Sequence, residues 1–359
     1  MRYQKVCLEG FGYSLPPETI SSDEIERQLA PLYSRLRLPE GRLELMSGIR
    51  ERRLWPRGTR PSDHSIASGL DAIRETGVDP ARIGVLIHGS VCRDYLEPAT
   101  AARVHHNLGL PKKCLVHDLS NACLGILSGV AQVATMIEIG QIDAGIVVGS
   151  EDSRSLLEST IAELNRNESL TRESVKPAFA SLTIGSGSVA AVLVHEKLSR
   201  TGNKLLGFAA RAHTEHYQLC EGGVESGNSI LMQTDSERLL IAGLETGRET
   251  FDDFLAELSL TRDVISKSIC HQVGGAHRTR MLQSLGLAAE RDYATFPWMG
   301  NTGSVALPLA MALAVEENFV TRGDRVAWLG IGSGINCLMM AVDWQTTLST
   351  RRKTALVSP

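Results

Sequence analysis

The chain has 359 residues, enough to form two domains or one large domain with a sizeable hydrophobic core. Hydrophobic residues make up 43% and charged residues 22% of the chain, a composition that is ordinary for globular proteins and argues against disorder. The formal net charge is only −4, so the chain lacks the basic character that is typical of nucleic-acid-binding proteins.

The cysteines and the apolar runs argue against several further classes of protein. The seven cysteines include no Cys-x-x-Cys pair and are odd in number, which argues against a zinc site and against a disulfide framework. The N-terminal segment lacks the apolar core of a secretory signal. The longest apolar run, Val305–Val315, contains Pro308 and is too short to span a bilayer. We therefore expect a reduced, cytoplasmic protein with no metal ion and no membrane-spanning segment.

Short apolar runs rich in Val and Ile alternate along the chain with longer segments of helical spacing. The spacing predicts helices that include Ser62–Glu75, Ala131–Glu138 and Ser236–Glu257. Strands that are buried on both faces and alternate with helices are typical of parallel sheets. The sequence therefore predicts an α/β fold with a largely parallel sheet. The apolar runs that predict its strands are Ile83–His88, Ala144–Gly149, Val189–His195, Val264–Cys270, Val326–Ile331 and Cys337–Val342.

A weak internal repeat divides the chain into two halves. Each half contains a helix, a strand and then a segment of small residues that opens a very apolar helix, at Asn121–Ala134 and at Gly300–Ala314. Helices that are apolar on nearly every side are buried, which predicts two central helices between two sheets. The boundary falls in the polar stretch Lys197–Asn203, so we predict halves comprising residues 1–197 and 198–359. The tail Thr346–Pro359 is predicted to be poorly ordered.

Cys123 is the first candidate for chemistry. It lies in the predicted first turn of the apolar helix that begins near Asn121, with Ser120 or Asn121 as the capping residue. The free N–H groups and the partial positive charge at such a position lower the pKa of a thiol and favour its use as a nucleophile. From position alone, an inert buried cysteine is the more common interpretation.

Two further residues occupy comparable positions. His271 ends a predicted strand, and Asn301 opens the second apolar helix. Taken singly, a histidine at a strand end is usually a satisfied core residue, and an asparagine at a helix start is usually a cap. Together with Cys123 they form a thiol, an imidazole and a carboxamide, each where a strand or loop meets a buried helix. Only folding could bring these three side chains together.

The motifs around these residues resemble those of a known superfamily. Cys123 in its Asn-Ala-Cys-x-Gly context, His271 followed by Gln, and Asn301 within Gly-Asn-Thr are similar to the Cys–His–Asn triad of the ketoacyl synthase III branch of the thiolase superfamily. The segments Ser47–Arg52 and Gly330–Gly334 are similar to that branch as well. The resemblance implies a thiolase fold of two pseudo-symmetric halves in a five-layer α-β-α-β-α sandwich. The N-terminal half would carry the nucleophilic cysteine, and the C-terminal half the histidine and asparagine.

A closer resemblance is to the OleA family, long-chain acyl-CoA condensing enzymes of bacterial olefin biosynthesis. It is carried by Ser90–Thr100, Asn121–Leu124, His271–Val273 and Leu329–Asn336. The resemblance implies a homodimeric acyltransferase that joins two acyl-CoAs by a non-decarboxylative Claisen condensation to a 3-oxoacyl product. It implies no cofactor beyond the acyl-CoA or acyl-carrier-protein substrates.

The same resemblance assigns two further roles. Glu97 would act as the base that removes a proton from the second substrate, and it would do so in the active site of the partner subunit. The backbone N–H groups of Cys123 and Ser333 would form the oxyanion hole. Without the matching neighbours, Glu97 would be interpreted as an ordinary solvated carboxylate.

Other functions stay open on sequence grounds. The segment Gly41–Ser47 lacks the Trp and Arg with which ketoacyl synthase III enzymes bind CoA, so an acyl-carrier-protein donor is an alternative. The second function is therefore a decarboxylating ketoacyl synthase III that uses malonyl-ACP. A non-catalytic partner subunit usually lacks the cysteine that is present here. A degradative thiolase would need a second cysteine in a C-terminal Cys-x-Gly motif, whereas Cys337 is predicted to lie in a strand.

Overall fold

A computed structural model describes residues 1–224 and 230–348 of the chain. Residues 349–359 of the predicted tail lie outside the described residues. The strands of the described chain are β1 (Val6–Ser14), β2 (Glu18–Ser21), β3 (Glu51–Leu54), β4 (Ile83–Gly89), β5 (Leu115–Leu119), β6 (Ala144–Glu151), β7 (Gly187–His195), β8 (Lys204–Ala212), β9 (Cys220–Val224), β10 (Ile230–Thr234), β11 (Lys267–Cys270), β12 (Arg325–Gly332) and β13 (Asn336–Asp343). Its α-helices are α1 (Ser22–Gln28), α2 (Ala30–Leu36), α3 (Arg42–Ser47), α4 (Pro61–Thr76), α5 (Thr100–Asn107), α6 (Gly125–Glu138), α7 (Arg154–Arg166), α8 (Ser236–Leu258), α9 (Gly275–Leu285), α10 (Phe296–Met299) and α11 (Ala306–Glu316).

Nine of these strands form one hydrogen-bonded sheet in the order β11-β12-β13-β8-β1-β7-β6-β4-β5. The pairs β4–β5, β4–β6 and β11–β12 are parallel, whereas β1–β7, β6–β7, β12–β13 and β8–β13 are antiparallel. The prediction of a largely parallel sheet is therefore wrong. Continuous apolar runs report that a strand is buried on both faces, but they carry no information about its direction.

The sheet has two parts, β11-β12-β13-β8 and β1-β7-β6-β4-β5. Six of the helices listed above lie in three layers around these two parts. Helices α6 and α11 form the middle layer, and their side chains join residues of both parts of the sheet in one buried apolar cluster. Every residue from Ala306 to Val315 of α11 is buried, as expected for a helix that is apolar on all sides. Helices α4 and α5 cover one outer face, and α8 and α9 cover the other. The predicted five-layer α-β-α-β-α arrangement is thus confirmed.

The two parts of the sheet meet at β1 and β8, where Cys7 pairs with Lys204. Within this sheet, the strands before residue 196 lie on one side of the junction, and the strands after residue 203 lie on the other. The connecting residues 196–203 are held by the buried carboxylate of Glu9, which accepts hydrogen bonds from the Ser199 hydroxyl and the Arg200 N–H at 2.7 and 2.8 Å. The proposed division at residue 197 falls in this connection and stays a prediction.

The described residues contain neither a membrane-spanning helix nor a metal-binding cluster. No helix among them combines the length and the apolar character needed to cross a membrane. They also contain no cluster of His, Cys, Asp or Glu side chains that could hold a metal ion. All seven cysteines are free.

Candidate active site

Cys123 lies in a short 3₁₀ turn, Ala122–Leu124, that leads directly into α6. The prediction that it occupies the first turn of the α-helix is wrong by one turn. Ala122 has a φ of +44°, a left-handed conformation that is uncommon for a residue other than glycine and is typical of strained functional sites. This bend turns the chain sharply just before Cys123.

Two backbone N–H groups face the sulfur of Cys123. They belong to Cys123 itself and to Ser333, and both groups lower the pKa of the thiol. Gly332 packs closely on this turn, since a Cβ atom there would lie 3.3 Å from Cγ of Leu124 and 3.4 Å from the Cys123 nitrogen. The Asn336 side chain donates to the Ser333 carbonyl at 3.2 Å and to the Asn121 side-chain oxygen at 3.4 Å, which holds the two turns together. The predicted pair of N–H donors therefore lies beside the thiol.

The thiol of Cys123 is less acidic than the sequence predicts. Burial, with smaller effects of the Glu151 carboxylate and the Cys220 thiol, raises its pKa to about 12, although the two N–H groups act in the opposite direction. The expectation of a lowered pKa is therefore wrong for the unliganded chain. The cause is desolvation, which disfavours the charged thiolate and here exceeds the effect of the helix N-terminus.

His271 directly follows β11, and its backbone N–H donates to the Leu329 carbonyl of β12 at 3.0 Å. Burial, with a smaller effect of the neighbouring His277, lowers the pKa of its imidazole to about 3. The ring is therefore neutral near pH 7. Its Nε2 atom is buried and has no hydrogen-bond partner among the described residues. A neutral imidazole nitrogen without a partner is free to accept a proton or to bind a substrate oxygen.

Asn301 is clamped by its backbone against the segment before β7. Its N–H donates to the Thr183 carbonyl at 3.0 Å, and its carbonyl accepts from the Gly185 N–H at 2.9 Å. The side-chain Oδ1 accepts from the Gly303 N–H at 3.1 Å, which orients the carboxamide. This leaves the Nδ2 group as the end of the side chain that can donate to a ligand.

The fold brings the segments of these three residues to one place. The Cys123 turn packs against the turn Gly303–Val305, which directly follows Asn301, and against strand β12. Strand β12 also lies parallel to β11, which ends directly before His271, and Ser333 beside the thiol directly follows β12. The catalytic roles predicted for these residues stay predictions.

Glu97 is not part of this buried arrangement. It lies in the loop between β4 and α5, its side chain is exposed, and no hydrogen bond or ion pair joins it to the described part of the chain. Its neighbours Val91, Tyr95 and Leu96 are exposed as well, and Leu96 is 100% exposed. An exposed loop that presents apolar side chains is typical of a surface that another protein covers.

Sequence reasoning missed Glu151. This carboxylate ends β6, is only 5% exposed, and lies close enough to Cys123 to raise the pKa of its thiol. It accepts hydrogen bonds from the N–H groups of Val91 and Cys92, at the start of the Glu97 loop, and from Ser304, close to Asn301. A charged residue at the end of a fully apolar strand is a signal that could have identified it.

Two family models match the chain, and together they span most of it. Residues 57–220 match the N-terminal domain of thiolases. Residues 255–344 match the C-terminal domain of 3-oxoacyl-[acyl-carrier-protein] synthase III.

Curated relatives and solved structures give a narrower assignment. An acyl-CoA:acyl-CoA alkyltransferase of Shewanella oneidensis is 41% identical and one of Xanthomonas campestris is 33% identical; each alignment covers 96% of this chain and 100% of the relative. A β-ketoacyl-[acyl-carrier-protein] synthase III of Clostridium tetani is 22% identical over a similar range. The crystal structure of X. campestris OleA superimposes with a TM-score of 0.91, covering 96% of this chain and 98% of that one. The chain therefore belongs to the OleA family of acyl-CoA:acyl-CoA alkyltransferases, acyltransferase condensing enzymes of the thiolase fold.

Proposed function

We propose that the protein joins two acyl-CoA molecules by a non-decarboxylative Claisen condensation to a 3-oxoacyl product. The observation that carries the proposal is the half-buried Cys123, whose thiol lies near the N–H groups of Cys123 and Ser333. A nucleophile beside two fixed donors suits acyl transfer, because the donors stabilise the oxyanion of a tetrahedral intermediate. The relatives named acyl-CoA:acyl-CoA alkyltransferase support the choice of substrates.

In the first half of the reaction, Cys123 attacks the thioester carbonyl of one acyl-CoA. The thiol proton passes to the neutral Nε2 of His271, because a thiol with a pKa near 12 needs a base at the moment of attack. The C–S bond to CoA breaks, and the CoA thiolate takes this proton from His271 and leaves as free CoA. The acyl group is then held as a thioester of Cys123.

In the second half, a second acyl-CoA loses a proton from its α-carbon. His271, as the neutral tautomer that carries its proton on Nε2, and the Nδ2 group of Asn301 donate hydrogen bonds to its thioester oxygen and stabilise the enolate that forms. The enolate carbon attacks the acyl carbon on Cys123, and the bond to the cysteine sulfur breaks. The cysteine thiolate takes up the proton that the α-carbon lost, and a 3-oxoacyl-CoA leaves. No carbon dioxide is lost, and the reacting groups come from the protein and the two thioesters alone.

Glu97 of the partner subunit supplies the base in this proposal. Its carboxylate is exposed in the monomer, beside the apolar side chains of Val91, Tyr95 and Leu96, as a group that enters a neighbouring subunit would be. Structures of X. campestris OleA include variants at a cysteine and at a glutamate. Those two positions are separated in sequence by as many residues as Cys123 and Glu97. The proposal therefore includes a homodimer.

A cytoplasmic role in lipid metabolism accompanies this assignment. Acyl-CoAs and reduced thiols are present together in that compartment, and the nucleophile must stay reduced. CoA is favoured over an acyl carrier protein as the thiol carrier, because an X. campestris OleA structure is described with bound lauroyl-CoA.

The test is to offer the purified protein a fatty acyl-CoA alone and, separately, with malonyl-ACP. Coupled 3-oxoacyl product and free CoA are expected without malonate, and the Cys123→Ala variant serves as the control that yields neither. Strict dependence of product on malonyl-ACP would refute the proposal in favour of the decarboxylating alternative. Mass spectrometry of the acyl group on Cys123 identifies the chain length that the enzyme accepts.

A further inference from the structure

The start of the Glu97 loop is fastened to one buried carboxylate. Oε1 of Glu151 accepts from the Val91 N–H at 3.0 Å, and Oε2 accepts from the Cys92 N–H at 3.1 Å. Beside this pair, the Ser90 hydroxyl donates to the Ser150 carbonyl at 2.6 Å. Glu151 thus sets the direction in which the loop leaves β4.

The same carboxylate also fastens the turn that follows Asn301. Its Oε1 accepts from the Ser304 hydroxyl at 2.5 Å and from the Ser304 N–H at 3.3 Å. Gly303 has a φ of +56°, and a Cβ atom there would lie 3.3 Å from Cγ of Glu151. Only a glycine therefore combines this backbone conformation with such close packing on the carboxylate.

The chemistry of these contacts requires a carboxylate at this position. All of the donors are uncharged, and an ionised carboxylate has two oxygens that accept and no group that donates. A glutamine would present an NH₂ group to at least one of these N–H donors and leave that buried donor without an acceptor. The middle of the loop has an anchor of its own, because Asp94 accepts there from the Ser62 N–H at 3.0 Å.

We propose that Glu151 is a positioning residue that couples the loop carrying Glu97 to the turn carrying Asn301. The inference rests on the proposed function, in which Glu97 serves the partner's active site and Asn301 serves its own. Each Glu151 therefore connects the two active sites of the dimer. It controls condensation, which needs both side chains, and leaves acylation of Cys123 largely untouched.

The first test compares the two half-reactions in the Glu151→Gln homodimer. Condensation is expected to fall about 30–100-fold, since displacing a reacting group by about 1 Å costs about that much. Acylation of Cys123, followed by intact-protein mass spectrometry, is expected to stay within about threefold, and its pH profile to move to lower pH because a negative charge near the thiol is gone. Equal losses in the two steps, or full condensation, would overturn the proposal.

The second test separates the two contacts with mixed dimers. A Cys123→Ala subunit paired with a Glu97→Ala subunit has one complete site, made of the cysteine of the second and the glutamate of the first. The first subunit supplies only Glu97 to this site, so Glu151→Gln in that subunit acts only through the loop. The second subunit supplies Cys123 and Asn301, so Glu151→Gln in that subunit acts mainly through the turn after Asn301. Each addition is expected to lower condensation about tenfold, and an effect confined to one arrangement would refute the coupling.

Two controls keep the outcomes distinct. Asp94→Asn disturbs the Glu97 loop but not the Asn301 turn, so it is expected to lower condensation only in the first subunit of the mixed dimer. If the mixed dimer without Glu151→Gln is inactive, the placement of Glu97 in the partner's site is overturned. The ratio of condensation to acylation in the Glu151→Gln homodimer then decides whether Glu151 is a positioning residue. If Glu151→Gln fails to fold, Ser304→Ala replaces it, with a condensation-only loss expected and equal losses refuting the proposal.

Discussion

The acidity of the Cys123 thiol gives the sharpest test of the site. Burial, together with Glu151 and Cys220, raises its pKa from 9.0 to about 12. At a fixed neutral pH, this lowers the fraction present as thiolate by about a thousandfold, so that about one thiol in ten thousand is ionised at pH 8. His271 is neutral as well, which means that the resting site holds a thiol and an imidazole and not an ion pair.

The measurement is alkylation of the unliganded protein by iodoacetamide between pH 7 and pH 10. The modified Cys123 peptide is quantified by mass spectrometry, with N-acetylcysteine as the external reference. Because only the thiolate reacts, the rate at Cys123 should rise about tenfold per pH unit throughout the range, without a plateau. At pH 8 it should be about a thousandfold below that of a thiol with an ordinary pKa.

The His271→Asn variant is the matched control. A neutral imidazole does not stabilise the thiolate, so the variant should keep the same pH dependence as the parent. A plateau below pH 8 that disappears in His271→Asn would refute the reasoning, because it would reveal a thiolate–imidazolium pair in the resting enzyme.

Three further predictions concern the base, the amide and the core. Glu97→Ala should abolish condensation, and mixing it with Cys123→Ala should restore about a quarter of the wild-type activity, since half of the random dimers have one complete site. Asn301→Ala should lower condensation about 100-fold, as measured by product formation, while acylation of Cys123 falls much less. Trp328 is fully buried and packs against Phe11 with ring centroids 6.1 Å apart. Trp328→Ala should lower the free energy of unfolding by about 3–5 kcal/mol, as measured by denaturant titration.

Each of these predictions has an outcome that contradicts it. No recovery in the mixture would argue against a base donated by the partner. Equal losses of acylation and condensation in Asn301→Ala would argue that the amide supports the fold and not the enolate. A loss as large in Trp328→Phe as in Trp328→Ala would show that ring packing is not the cause.

The strands and central helices could be predicted because apolar runs report burial directly. Strand β6 is buried along its whole length, and α11 is buried from Ala306 to Val315, in agreement with their sequences. Three strands of the nine-stranded sheet, β1, β5 and β8, escaped prediction. In β1, Gly10 and Gly12 interrupt the apolar pattern, and the register with β7 shifts between Leu8 and Gly10. Strand direction also escaped, since it depends on connections and not on composition.

The sequence by itself determined which chemical groups the protein can use: a thiol, an imidazole and a carboxamide in motifs that resemble one superfamily. The tertiary structure decided how those groups behave. Desolvation by residues far apart in the chain makes Cys123 a weak acid and His271 a neutral base, against the expectation from a helix N-terminus. Only the folded chain brings Glu151 beside Cys92 and Ser304. The physical reason is that burial and electrostatic contact depend on distances in space, which local sequence patterns do not encode.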